Sequence, residues 1–176
     1  MTAAAARRPD ATEFAPFYAG YVAAVPDGDI ATILRRDADE WQAVLAELPE
    51  SRAGHRYAEG KWSIRQLVGH VSDAERIFTY RALRVARGDT TPLAAFDENA
   101  YAETAGSERR TLSALAEELK AVRAATVALF TSLPDDAWTR TGTASGKTVS
   151  VRALAYITAG HAQHHLKILR ERYLGL

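Results

Sequence analysis

His161 and His165 stand four residues apart in the run Gly160-His161-Ala162-Gln163-His164-His165-Leu166. On a helix, that spacing projects both imidazoles from one face with Cβ atoms about 5–6 Å apart, so two rings can reach one metal ion. Both positions fall inside an apolar stripe with Leu154, Thr158 and Ala162, where protonating a ring is costly. His164 points about 100° away from His165 and is the weaker ligand candidate. The chain has no cysteine. That removes disulfides, thiolate nucleophiles and Cys-based metal sites, and leaves His, Asp and Glu to hold any ion. The H-x-x-x-H spacing fits a neutral hydrogen-bonded pair as well as it fits a metal site, and without the acid of H-E-x-x-H it is not a zincin motif.

A metal site needs a third ligand. His55 lies in a Gly-flanked linker and reads as solvated. His70 lies at the flank of its helix stripe, with Leu67, Ala74 and Ile77 widening the buried arc around it. Glu75, between Val71 and Phe78, is the alternative. His70 is the preferred third ligand, which leaves Glu75 as a partner of the site or its proton acceptor.

Two further polar residues interrupt apolar stripes: Asp37 beside Ile33, Leu34 and Trp41, and Arg123 beside Leu119, Thr126 and Phe130. With Glu75 and the histidine pair they fall near the middle of their helices, so the sequence predicts one polar layer through an apolar core. Burying such groups unpaired costs roughly 2–7 kcal/mol each. Structural Arg–carboxylate pairing explains Asp37, Glu75 and Arg123 without any chemistry.

Four segments with apolar residues recurring at three and four positions must carry this layer: residues 29–48, 63–87, 111–133 and 150–174. Ser63 with Gln66 reads as a capping box, Ser150 as a cap, Gly88 and Gly175 as helix ends, and Pro49 and Pro134 as stops. No segment alternates as a strand would, so the expected fold is all-α: a four-helix bundle over residues 29–176, after an N-terminal extension at 1–28. The connections 49–62, 88–110 and 134–149 exceed the roughly 2–8 residues that join adjacent antiparallel helices. Long crossovers are therefore expected. Residues 96–101 read as part of a loop, Gly60, Gly142 and Gly146 as turns, and Trp62 and Trp138 as packing residues at helix entries.

The 176 residues carry 22 basic and 22 acidic side chains, a balance that argues against a nucleic-acid partner. No apolar run reaches the roughly 18 residues of a membrane span. Residues 1–10 lack the apolar stretch of a secretory signal, so the expected location is the cytoplasm. The only biased tract is the alanine run at residues 3–6.

The run Lys61-Trp62-Ser63-Ile64-Arg65-Gln66-Leu67-Val68-Gly69-His70, continuing into Ser72-Asp73-Ala74-Glu75-Arg76, together with the Gly160–Leu166 run and Phe96-Asp97-Glu98-Asn99-Ala100-Tyr101, resembles the DinB/YfiT-like family of metalloenzymes. The resemblance implies a four-helix bundle with crossover connectivity. It also implies a divalent ion, zinc or nickel, held by one histidine of the second helix and two of the fourth: His70, His161 and His165. It further implies homodimers, a small-molecule substrate and, in some relatives, a low-molecular-weight thiol as co-substrate for an S-transferase or isomerase. A hydrolase using water, or a non-catalytic metal- or ligand-binding module, are the other functions such a site would serve.

Overall fold

The computed structural model describes residues 7–176; the alanine run at 3–6 lies outside them. Each of the four long helices starts where a side chain satisfies its free N–H groups. Asp29 caps α2 (Ile30–Glu47), and Ser63 and Gln66 close a reciprocal box on α3 (Ile64–Ala86). Thr111 caps α5 (Leu112–Thr131) and Ser150 caps α6 (Val151–Ile168). The last helix runs on as a π-helical stretch, Leu169–Leu174, and Gly88 and Gly175 follow their helices with positive φ as expected.

The buried apolar residues form two clusters. One joins the start of α2 (Ile30, Leu34), the end of α3 (Phe78, Val85), the end of α5 (Phe130) and the start of α6 (Leu154, Ile157). The other joins the end of α2 (Trp41, Leu45), the starts of α3 and α5 (Leu67, Leu115) and the end of α6 (Leu166, Leu169). Helices α2 and α6 therefore run one way, and α3 and α5 the other. Neighbours pack in the order α2, α5, α3, α6, so α2 and α3, and likewise α5 and α6, sit across the diagonal, while α3 and α5 lie side by side. The connection from α3 to α5 must return along the whole bundle, which is why it is long. This is the expected four-helix bundle with a crossover.

Three expectations need correction: the loop at 96–101, the absence of strands and the turn at Gly142. The crossover is not loop throughout: Asp97 accepts from the backbone N–H of Asn99 and Ala100 and starts α4, Glu98–Thr104. The chain is not wholly without strands: β1 (Thr141–Ala144) and β2 (Lys147–Ser150) form an antiparallel hairpin. Its turn at Ser145 and Gly146, both at positive φ, has the twist a two-residue hairpin favours. Strands of four residues are too short to show a period, and Gly142, read as a turn, lies within β1. Leu93 of the crossover pairs with this hairpin as well. Within residues 7–28, the turns Ala11–Glu13 and Pro16–Tyr18 lead into α1 (Ala19–Ala24), which packs on α6.

Candidate metal centre

The gap between the two apolar clusters holds the polar layer. Arg123 of α5 donates from Nε and Nη2 to the two carboxylate oxygens of Glu75 on α3, both at 2.7 Å. Its Nη1 reaches the Leu34 carbonyl at 3.0 Å. Asp37 accepts from the side-chain amide of Gln163 at 2.9 Å; burial pushes its carboxyl above the usual range, against the pull of Gln163 and Arg123. The carboxylates and the arginine are thus satisfied without the histidines. Gln163 was missed at the sequence level because it lies outside the stripe, only half-buried.

What remains in the layer is His70, His161 and His165, all buried. Nε2 of His70 and Nε2 of His161 lie 3.0 Å apart. One ring nitrogen from each of the three histidines lies within 4.8 Å of the other two. Glu75 and the other acids stand outside this group, and His55 and His164 are exposed. His70, preferred over Glu75 from the sequence, is the residue the fold brings to the pair, and Glu75 goes to Arg123.

Two glycines let flanking segments close on the site. A Cβ on Gly160 would lie 2.1 Å from the Tyr21 carbonyl oxygen, so its absence lets α1 press against α6 beside His161. A Cβ on Gly69 would lie 2.3 Å from Ser107 Oγ, so the turn at Ser107–Arg109 can seat against α3 beside His70. Aromatic rings then wall the site. Trp62 lies 4.6 Å from the His70 ring, and Tyr21 and Phe78 meet the His161 ring edge-on at 5.6 and 5.4 Å. Trp62 was read as packing and Tyr21 was not singled out, because its segment carries no helical period long enough to assign.

This environment keeps the imidazoles neutral. Burial pulls His70 down to about 4. Burial, then the neighbouring histidines, hold His161 and His165 well below the ordinary range. Neutral rings present lone pairs, and the buried Nδ1 of His165 finds no hydrogen-bond partner among the described residues. Three converging nitrogen lone pairs, one buried nitrogen without a partner and no carboxylate to take a proton fit a divalent cation. The 3.0 Å approach of His70 and His161 suits one N–H···N hydrogen bond as well as a shared ion, but a hydrogen-bonded cluster would leave Nδ1 of His165 unsatisfied. Three protein ligands are also the number that leaves a coordination position open.

A model of the DinB superfamily matches residues 33–169. Among solved structures, YfiT from Bacillus subtilis, a probable metal-dependent hydrolase with an unusual four-helix bundle topology, superposes with a TM-score of 0.74 at 19% identity over 83% of this chain and 86% of that one. A mycothiol-dependent maleylpyruvate isomerase superposes with a TM-score of 0.66 at 20% identity over 78% of this chain and 58% of that one; a histidine-to-alanine variant of that isomerase matches equally. At these identities the likeness is one of fold. No curated protein matches.

Proposed function

This chain belongs to the DinB superfamily, and from that premise we propose that it is a divalent-metal-dependent enzyme, of thiol S-transferase or hydrolase type, whose ion is held by His70, His161 and His165. The observation that carries the reading is the convergence of three buried, neutral imidazoles that no acid serves. The chemistry of the two fold neighbours, one a probable metal-dependent hydrolase and one mycothiol-dependent, supports it. A zinc or nickel ion suits an all-nitrogen donor set.

When bound, such an ion supplies Lewis acidity that brings the pKa of a thiol or water towards neutrality. The chain's own residues do the rest. The three histidines stay unprotonated because burial disfavours their cationic form. Trp62, Tyr21 and Phe78 exclude water from the ligand rings and offer apolar walls to a small-molecule substrate. With no cysteine in the chain, a thiol nucleophile has to come as a co-substrate. Glu75 enters as the anion that fixes Arg123 behind the site rather than as a base, since both its oxygens are engaged. We place the chain in the cytoplasm as a homodimer. No helix among the described residues is long and apolar enough to cross a membrane.

The test is elemental analysis of the purified chain together with titration of the metal-free form by Ni²⁺, read as quenching of Trp62 fluorescence. About one ion per chain is expected, with uptake lost in His161→Ala and His165→Ala. Trp62→Phe is expected to lose most of the quenching while keeping the metal. Failure of the folded, metal-free wild type to take up Ni²⁺, Zn²⁺ or Co²⁺ would refute the site. Stoichiometric uptake, with no turnover abolished by chelation in a screen of thiol transfers and hydrolyses, would assign a binding module instead.

A further inference from the structure

We propose that Arg81 and Lys147 form a second binding site, for the carboxylate group of a small ligand, separate from the histidine centre. The argument starts from charge. The other buried charges described here face an opposite one: Glu75 meets Arg123, Arg152 meets Glu13, and Asp37 has Arg36 at 3.7 Å. Arg81 is 3% exposed and meets none among the described residues. Its Nη2 donates to the Ala94 carbonyl at 2.7 Å and to Ser145 Oγ at 3.1 Å, both neutral acceptors. The N–H groups on Nη1 and Nε have no acceptor among the described residues, although a guanidinium offers five donors in all. Those two nitrogens are not among the sealed, unpartnered atoms of the core, so they form an open guanidinium edge on which an anion can replace water.

The surroundings supply a place for it. Arg81 lines a cleft between α3, β2 and the start of α6, with Tyr18, Lys147, Thr148 and Leu154. Lys147 makes no ion pair among the described residues, and Tyr18 and Thr148 bring hydroxyl donors. No carboxylate lines the cleft. Glu13, close by in sequence to the lining residue Ala15, is committed to Arg152 and Ser150. The free space is about 10 Å³, room for one water-sized group. That admits one carboxylate oxygen, seated on the Arg81 guanidinium, with the rest of the ligand outside the cleft. A ligand bound there would tie Tyr18, which packs on Phe78, to α3 and the hairpin.

The test uses sodium acetate as probe at constant ionic strength, with thermal unfolding as readout, and sodium bromide soaked into crystals. Lys147 is exposed, so Lys147→Glu leaves the core intact and supplies a carboxylate of its own. Wild-type Tm is expected to rise by about 3–6 °C at roughly tenfold excess of acetate over its Kd. Lys147→Glu should start higher and not respond, and the bromide anomalous peak should lie on the Arg81 guanidinium. Equal responses of both proteins, or bromide only elsewhere on the surface, would overturn the proposal and leave Arg81 as a clamp on Ala94 and Ser145.

Discussion

The Glu75–Arg123 pair gives the sharpest test of how this core is built. Both side chains are almost wholly buried, and the pair is bidentate. Glu75→Leu would strand a guanidinium whose only other acceptor among the described residues is the Leu34 carbonyl. Breaking a buried pair from one side costs about 3–5 kcal/mol. For a chain of this length each kcal/mol moves Tm by about 2–4 °C, so a fall of roughly 6–20 °C is expected. Glu75→Leu with Arg123→Met removes both charges and keeps an apolar volume. Such replacements are neutral or stabilising by about 1–4 kcal/mol elsewhere. Asp37 also leans on the Arg123 charge and would lose that support, which places the double variant near wild type. The assay is a double-mutant cycle by urea unfolding, with Ni²⁺ uptake measured on each variant. A coupling energy above about 2 kcal/mol and retained uptake in the double variant are expected. A single variant costing under 1 kcal/mol, or a double variant no better than the single, would refute the pairing argument. Loss of uptake in a well-folded double variant would show that the metal centre needs the Glu75 carboxylate.

Other outcomes follow from the same geometry. Gly160→Ala puts a methyl group into the Tyr21 backbone, and overpacking of that kind costs about 1–3 kcal/mol. Calorimetry should show the loss, and Ni²⁺ affinity should fall as α1 is pushed from His161. Saturating the metal-free protein at about 100 times Kd should raise stability by about 2.7 kcal/mol, a Tm gain of roughly 5–11 °C by scanning fluorimetry; a chelator should reverse it. The metal-free protein should lose stability as pH falls from about 6.5 towards 4. The unfolded chain then binds protons that His70, held at about 4, refuses. A flat urea midpoint in the three-histidine-to-alanine variant over that range would confirm the source, and an unchanged slope would contradict it. At lower pH a second loss is expected. Burial pushes the Glu13 carboxyl up, but Arg152, Ser150 and the Asp10 backbone outweigh it and hold it at about 2. Its contribution is full above about 4.5 and fades as pH falls towards 2, and Glu13→Gln should remove that part of the acid transition.

The helices and the polar layer were legible because a 3.6-residue period places each residue on a face without reference to its neighbours. Asp37, Glu75, Arg123, His161 and His165 broke apolar stripes at mid-helix, and that position places them in one layer whichever way a helix runs. His70 was harder. It sits at the flank of its stripe, and only the packing of α3 against α6 turns that flank towards the histidine pair. Trp62 and Gln163 gave no signal that distinguishes a site wall or an acid's partner from an ordinary half-buried residue. Helix α4 and the hairpin were too short to carry a period, so their pairing and capping partners decided them.

Sequence alone therefore determined the helical segments, their capped ends, the absence of thiol ligands and the presence of a charged layer inside an apolar core. These depend on residue type and on spacing along one chain segment. Tertiary structure decided who pairs with whom: Arg123 with Glu75, Gln163 with Asp37, His70 with His161. A buried polar group must find a partner, but which one it finds is fixed by helix order and direction, and those are set by how two apolar clusters close around the layer, not by any local stretch of residues.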